Sequence, residues 1–243
     1  MSKLYVVGIG PGNYENMTIR AHKALECCDV IAGYHVYVDL VKDMFPGKEF
    51  LTTGMTKEAD RCRMAVEEAR KGRNVAMICS GDSGIYGMAA LIYEVRGEAS
   101  EPEIEVIPGL TAACSGASVL GAPLTHDFAV ISLSDRLTSW ELIEKRLSMA
   151  AQADLSIVLY NPASKTRPDH AKRACEILLQ YLPEDRLCGI VQNIGREGEN
   201  MRILTLAELK DAPIDMFCTL FIGNAMTTTL GGKLVTPRGY RDV

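Results

Sequence analysis

Two glycine-bearing turns, Val6-Val7-Gly8-Ile9-Gly10-Pro11-Gly12 and Cys79-Ser80-Gly81-Asp82-Ser83-Gly84-Ile85-Tyr86-Gly87, each close an apolar run that reads as a strand. Glycine carries no Cβ, so main chain at such a turn can come within contact distance of a ligand. Two of them at strand ends predict a small-molecule site lined largely by backbone. Asp82 adds a carboxylate that could accept hydrogen bonds from a ligand hydroxyl or ammonium, or cap a helix beginning near Ile85. A third segment, Pro108-Gly109-Leu110-Thr111-Ala112-Ala113, again sets a small polar residue after a strand and before a helix. Three strand ends thus converge on one edge of a sheet.

A nicotinamide dinucleotide fits these turns poorly. Gly8 and Gly10 open the Gly-x-Gly-x-x-Gly pattern, but Asn13 stands where its third glycine belongs and Pro11 lies where a helix should begin. The acidic ribose partner at the end of the second strand is also missing: Asp29 begins that strand, and Gly33-Tyr34-His35 follow it.

Hydrophobic periodicity supplies the frame that positions the turns. Strands are predicted over 3–9, 29–32, 74–79 and 104–107, with helices over 17–27, 59–72 and 85–96 between them, an alternation that implies a mainly parallel sheet. Near 115–126 the chain turns to small residues and turn formers, Ser115-Gly116-Ala117-Ser118 and Gly121-Ala122-Pro123-Leu124. A domain boundary is placed there, giving an N-terminal α/β domain over 1–118 and a C-terminal α/β domain over 119–243. The second carries strands over 128–133, 155–160, 187–192, 201–204 and 217–222, with helices over 140–151 and 169–181. The fold class is α/β, two α/β domains with a ligand cleft expected between them.

Composition narrows the partners. At 243 residues and 47% hydrophobic content the chain can fill substantial cores, and 31 acidic against 26 basic residues leave no overall positive field for nucleic acid or anionic lipid. After Met1-Ser2-Lys3 the sequence enters an apolar strand pattern without a signal-peptide core, and no uncharged run reaches membrane-spanning length, so a cytoplasmic protein is expected. Cys27 and Cys28 are adjacent while the other cysteines are scattered without a Cys-x-x-Cys pair. Free buried thiols and no metal are the expectation. His22 and His170, each beside a lysine on a predicted helix, read as exposed.

In order and spacing, the two glycine turns, Ile107-Pro108-Gly109-Leu110-Thr111-Ala112 and Tyr160-Asn161-Pro162 resemble the tetrapyrrole (corrin/porphyrin) methyltransferases over essentially the whole chain. The resemblance implies S-adenosyl-methionine as cofactor, leaving as S-adenosyl-homocysteine, a tetrapyrrole as substrate, and a homodimer. It carries cofactor contacts onto Pro11, Ser80, Gly81, Asp82, Ile85, Thr111, Ala112 and Asn161, and also onto Asn193 and the Gly223-Asn224-Ala225 turn. The strings around Gly81–Ala89, from His126 to Asp135, and Tyr160-Asn161-Pro162 with Ser164 and Arg167 resemble the members that methylate carbon 17 of precorrin-3B or its cobalt-containing counterpart and contract the ring. A relative acting at another carbon, or a noncatalytic tetrapyrrole carrier, stays open.

Methyl transfer from a sulfonium needs positioning above all. Ring contraction rearranges bonds around an oxygenated carbon and calls for an acid or base. The candidates are His126, Asp127 and Asp135, the two aspartates falling on one nominal strand face if no bulge intervenes. A tetrapyrrole carries peripheral carboxylates, which Arg136 and Arg167, with Lys165 and Arg196, could bind.

Overall fold

The computed structural model describes residues 2–240. The chain divides into two compact units, one ending at Ala112 and the other beginning at Ala113.

The first unit runs β1 (Lys3–Gly8), α1 (Ile19–Cys27), β2 (Val30–Tyr34), α2 (His35–Val41), β3 (Glu49–Thr53), α3 (Glu58–Arg70), β4 (Val75–Cys79), α4 (Ala89–Arg96) and β5 (Glu103–Ile107). Its sheet has the order β3-β2-β4-β1-β5 with every pairing parallel. Alternation along the strands sorts the core into two layers. Leu4 and Val6 of β1 join Val75 and Met77 of β4 against Cys62, Ala65 and Val66 of α3, whereas Val7 and Ile78 face Ala21 and Leu25 of α1 and Val38 of α2. The Thr18 hydroxyl starts α1 by accepting from the Ala21 N–H at 3.1 Å.

Two details differ from the sequence reading. The chain enters α2 directly from Tyr34, burying Val38 and Val41, and then adds β3 as an edge strand. In addition, α4 begins at Ala89 rather than near residue 85, because the segment after Asp82 stays in bends and Tyr86 takes a left-handed φ of 55°.

The division falls just after the first residue of α5 (Ala112–Leu120), and the second unit continues through β6 (Gly121–Ala122), β7 (Phe128–Ser132), α6 (Trp140–Gln152), β8 (Ser156–Tyr160), α7 (His170–Leu178), β9 (Leu187–Gln192), β10 (Asn200–Thr205), α8 (Leu206–Lys210), β11 (Cys218–Ile222), β12 (Thr228–Leu230) and β13 (Lys233–Val235). The division at Ala112/Ala113 precedes the expected 118/119 for a packing reason. Residues 115–118 are not a linker but part of α5, whose Ala113, Ala117 and Leu120 pack with Val158, Val191 and Phe221 of the second sheet. Small residues let the helix sit close: a Cβ on Gly116 would lie 2.8 Å from the Phe221 ring.

That sheet has the order β10-β9-β11-β8-β7, and only β7 and β8 pair in parallel. Its other face packs Ile157, Leu159, Ile190 and Leu220 against Ile143 and Leu147 of α6, Ala174 of α7 and Leu209 of α8. A small third sheet, β12-β13-β6, closes the unit.

Candidate active site

In the first unit the three turns, far apart in sequence, meet in one contiguous backbone surface. Gly10 and Gly81 exchange backbone hydrogen bonds of 3.0 and 2.8 Å, and the Ile9 N–H donates to the Cys79 carbonyl at 2.9 Å. A Cβ on Gly8 would stand 2.6 Å from the Gly109 nitrogen and 2.7 Å from the Gly81 oxygen, so the turns touch backbone to backbone. Asp82 ties them together. Its Oδ1 accepts from the N–H groups of Gly84 at 2.7 Å and Ile85 at 3.1 Å, and its Oδ2 accepts from the Gly109 N–H at 3.0 Å. Asp82 therefore makes a local turn and a staple to the third segment, rather than capping α4.

Ser83, which the sequence reading passed over, completes the joint. Its buried hydroxyl donates to the Ile107 carbonyl at 2.9 Å. Around this edge Pro11 and Thr111 are buried, Ser80 and Ala112 are partly exposed, and Ile85, Tyr86 and Leu110 present exposed apolar surface. The residues suit a nucleoside-bearing sulfonium. No side chain separates the glycine backbone from a ligand, Oδ2 of Asp82 keeps acceptor capacity beyond its one bond, and Ile85 and Leu110 offer apolar cover.

The second unit separates residues that the sequence grouped. β11 runs antiparallel to β8, pairing Ile222 with Ile157, so the chain leaving β11 lies at the beginning of β8 and not at its end. His126, Asp127 and the Gly223-Asn224-Ala225 turn share that starting edge, where the Asn224 amide lies 3.4 Å from His126 Nδ1 and the Asp127 carbonyl accepts from Ser156 at 3.2 Å. Asn161, Asn193 and Asp135 lie at the opposite edge. A five-residue strand at about 3.3 Å per residue keeps the two sets on the order of 15 Å apart.

The starting edge is also internally satisfied. The Gly223 N–H donates to Leu187 at 2.9 Å, that of Asn224 to the Thr227 hydroxyl at 2.9 Å, and that of Ala225 to the Asp154 carboxylate at 3.0 Å. The backbone N–H groups of Gly223 and Ala225 are thus both engaged within the unit. Asp127 and Asp135 do not share a strand face, because β7 ends at Ser132 and the alternation lapses before Asp135.

At the far edge Asn161 and Asn193 leave β8 and β9 with left-handed φ values of 55° and 54°, a conformation asparagine tolerates better than most residues. Asn161 donates from its amide to the Ser132 hydroxyl at 2.9 Å. Beside it Arg167 donates to the hydroxyls of Ser134 at 2.9 Å and Ser164 at 3.2 Å and lies 3.6 Å from Asp135. Arg136 and Lys165 are exposed, and Arg196 is partly covered. His170, expected at the surface, is 3% exposed. Its Nδ1 is 2.9 Å from the Leu133 carbonyl, and its Nε2 is 3.5 Å from Asp135.

All eight cysteines are free thiols, six of them buried and Cys27 and Cys114 exposed. Burial pushes the Cys79 and Cys175 thiols up to about 12, far from a reactive thiolate. Among the described residues no group of three or more His, Cys, Asp or Glu side chains gathers to hold a metal, and no helix is long and apolar enough to cross a membrane.

A parallel first sheet with three glycine-bearing turns stapled at its edge, followed by a mixed second sheet, makes this a two-unit α/β protein. The chain belongs to the tetrapyrrole (corrin/porphyrin) methylases, whose family profile matches residues 3–210. It is 44% identical over 238 residues to the "Probable cobalt-factor III C(17)-methyltransferase" of Salmonella typhimurium, covering 98% of this chain and 99% of the relative. The "Cobalt-factor III methyltransferase" of Priestia megaterium is also 44% identical, but the match spans 45% of that longer protein. The crystal structure of the methyltransferase CobJ superposes with a TM-score of 0.91 at 34% identity, covering 98% of this chain and all of the other. Cobalt precorrin-4 methyltransferase, at 24% identity and a TM-score of 0.77 over 91% of this chain and 94% of that one, shares the fold.

Proposed function

We propose that this chain is an S-adenosyl-methionine-dependent enzyme of cobalamin biosynthesis that methylates carbon 17 of cobalt-factor III or precorrin-3B and contracts the macrocycle. The observation that carries the reading is the stapled edge of the first unit, where Asp82 joins three glycine turns, on a chain 44% identical from end to end to a cobalt-factor III C(17)-methyltransferase. S-adenosyl-methionine, when bound, supplies a methyl group activated by its sulfonium.

The chain's own residues supply placement. The main chain of Pro11, Ser80, Gly81, Thr111 and Ala112 fixes the donor, Asp82 accepts from a ribose hydroxyl, and Ile85 excludes water. Holding the reacting atoms at about 3–3.5 Å removes much of the entropic barrier. In the second unit the reading favours the edge carrying Asn161, Asn193, Asp135 and Arg167. Asp135 serves as the base for contraction, and Arg167 with Arg136 binds peripheral carboxylates. His126 and Asp127, hydrogen-bonded at the other edge, anchor the fold there.

A cytoplasmic homodimer is part of the proposal. Support for the dimer comes from β7, the last strand of its sheet, which with α6 borders a groove of about 450 Å³ lined by Val130, Leu142 and Met149. Phe128 and Met149 are exposed beside it.

The test is incubation with labelled S-adenosyl-methionine and a panel of precorrin and cobalt-containing intermediates, read by mass. Label should enter precorrin-3B or cobalt-factor III alone. Tight macrocycle binding without label would make the protein a carrier, and label in another intermediate would make it a different methyltransferase of the family.

A further inference from the structure

We infer that Arg61 receives a peripheral carboxylate of the tetrapyrrole, in a subsite at the ends of β2 and β3 that is separate from the edge stapled by Asp82. This rests on the reading of the substrate as a carboxylate-bearing macrocycle. Arg61 stands near the start of α3 and is 5% exposed, yet its side chain makes a single hydrogen bond, from Nη1 to the Thr53 hydroxyl at 2.6 Å. Nε is buried without a partner, and among the described residues no carboxylate forms an ion pair with the guanidinium. Arginine keeps its charge at every working pH, and a charge withdrawn from water is ordinarily paired. Here the chain itself supplies only a hydroxyl.

With Nη1 turned to Thr53, the Nε–Nη2 edge of the fork carries no hydrogen bond, and that edge binds a carboxylate through two parallel bonds. One other atom among the described residues, Arg96 Nε, is buried without a partner, but that guanidinium lies over the Tyr93 ring, 5.7 Å from its centroid, at the end of α4. Placement separates the Arg61 subsite from the cofactor's. Thr53 ends β3, the outer strand of its sheet, and pairs with Tyr34 at the end of β2, whereas the three stapled turns follow β1, β4 and β5. Two strand spacings of about 4.8 Å put Thr53 on the order of 10 Å from the turn after β4. Residues 54–57 beyond Thr53 are exposed, so the guanidinium stands at the rim of the sheet rather than at its centre. Opposite Thr53 in register, the Tyr34 ring meets those of His35 at 4.4 Å and Tyr37 at 5.3 Å. Aromatic rings beside an unpaired cation match a flat conjugated macrocycle with acidic side chains, not the methionyl carboxylate of a cofactor held two strands away.

Stability and affinity together decide the matter. In the ligand-free protein Arg61→Met, a side chain of similar length without charge, should melt at or above the wild-type temperature, because the one partner lost, the Thr53 hydroxyl, is partly exposed. In protein loaded with S-adenosyl-homocysteine, cobalt-factor III titrated by its absorbance should bind Arg61→Met about tenfold or more weakly than wild type. Arg61→Lys should lie between them, keeping the charge without the fork. Affinity for S-adenosyl-homocysteine itself, measured by calorimetry, should stay within about threefold in both variants. Unchanged macrocycle affinity in Arg61→Met overturns the inference, as does a loss confined to S-adenosyl-homocysteine, which would give the carboxylate to the cofactor. A melting temperature lowered by several degrees in both variants overturns it too, marking an arginine that serves the fold alone. A wild type that binds a different intermediate of the panel would sink the carbon-17 reading only, and the same comparison on that intermediate still decides the subsite. A wild type that binds none overturns both.

Discussion

Asp82 and Gly109, 27 residues apart in sequence, are joined by a hydrogen bond of 3.0 Å from the Gly109 N–H to Oδ2, while Oδ1 of the same carboxylate organises Gly84 and Ile85. One side chain therefore sets both the shape of its own turn and the distance to the next. Replacing it with alanine leaves three N–H groups without partners. Asp82→Ala should lose about 1–3 kcal/mol of stability and weaken S-adenosyl-homocysteine binding tenfold or more, measured by calorimetry. Asp82→Asn, which keeps one acceptor oxygen, should fall between alanine and wild type.

Backbone contact at the same edge predicts a contrast between two glycines. A Cβ on Gly109 would collide with the main chain of both Gly8 and Gly81, whereas one on Gly84 meets only Asp82 Oδ1 at 3.4 Å. Gly109→Ala should abolish cofactor binding and lower the melting temperature by several degrees. Gly84→Ala should retain binding within about threefold, since a contact of that length is ordinary packing.

The two edges of the second sheet predict opposite outcomes for two aspartates. Asp135→Asn should cut ring contraction by about 10²-fold or more, the usual scale for losing a general base, with methylation nearly intact. Asp127→Asn should leave both steps within about threefold, because Asp127 precedes β7 at the sheet edge opposite Asn161. Single-turnover product analysis checks both, and a contraction defect confined to Asp127→Asn would reverse the assignment of edges.

Buried thiols give the fold an alkaline limit. The pKa values of Cys79 and Cys175, with an ordinary value of 9.0, are pushed up to about 12 by burial. For a group raised in the folded state, stability is fully present below its unfolded value and declines as pH rises toward the folded one. Stability should therefore hold to about pH 8.5 and fall progressively from pH 9 to 12, a window set by those shifts, as followed by denaturant melts. In native protein an alkylating reagent should label Cys27 and Cys114 and spare the other six until unfolding.

The first unit was largely legible because its signals are local. Glycine at Gly8, Gly10 and Gly81 announces a backbone need within its own turn, and the strand around Val75–Cys79 is apolar enough to be read alone. β3 was missed because an edge strand carrying Glu49 and Thr52 lacks that apolar run. The hairpin of β12 and β13 was missed although Gly231 and Gly232 are both left-handed, with φ of 56° and 75°, as a tight two-residue loop requires.

The second unit's site depends on pairing that sequence does not display. The antiparallel course of β11 sends Gly223 away from Asn161, and no periodicity within either strand records that direction. His170 stands in the polar run Arg167-Pro168-Asp169-His170, which reads as surface. Its burial comes from Leu133 and Trp140, far away along the chain.

The most direct test of the whole account locates the transferred carbon. Protein, carbon-13 methyl-labelled S-adenosyl-methionine and cobalt-factor III or precorrin-3B are incubated anaerobically and with oxygen, and the product is resolved by NMR. The account predicts a single labelled methyl group at carbon 17 of a contracted macrocycle. A label at any other carbon, or bound substrate recovered without label, would contradict it.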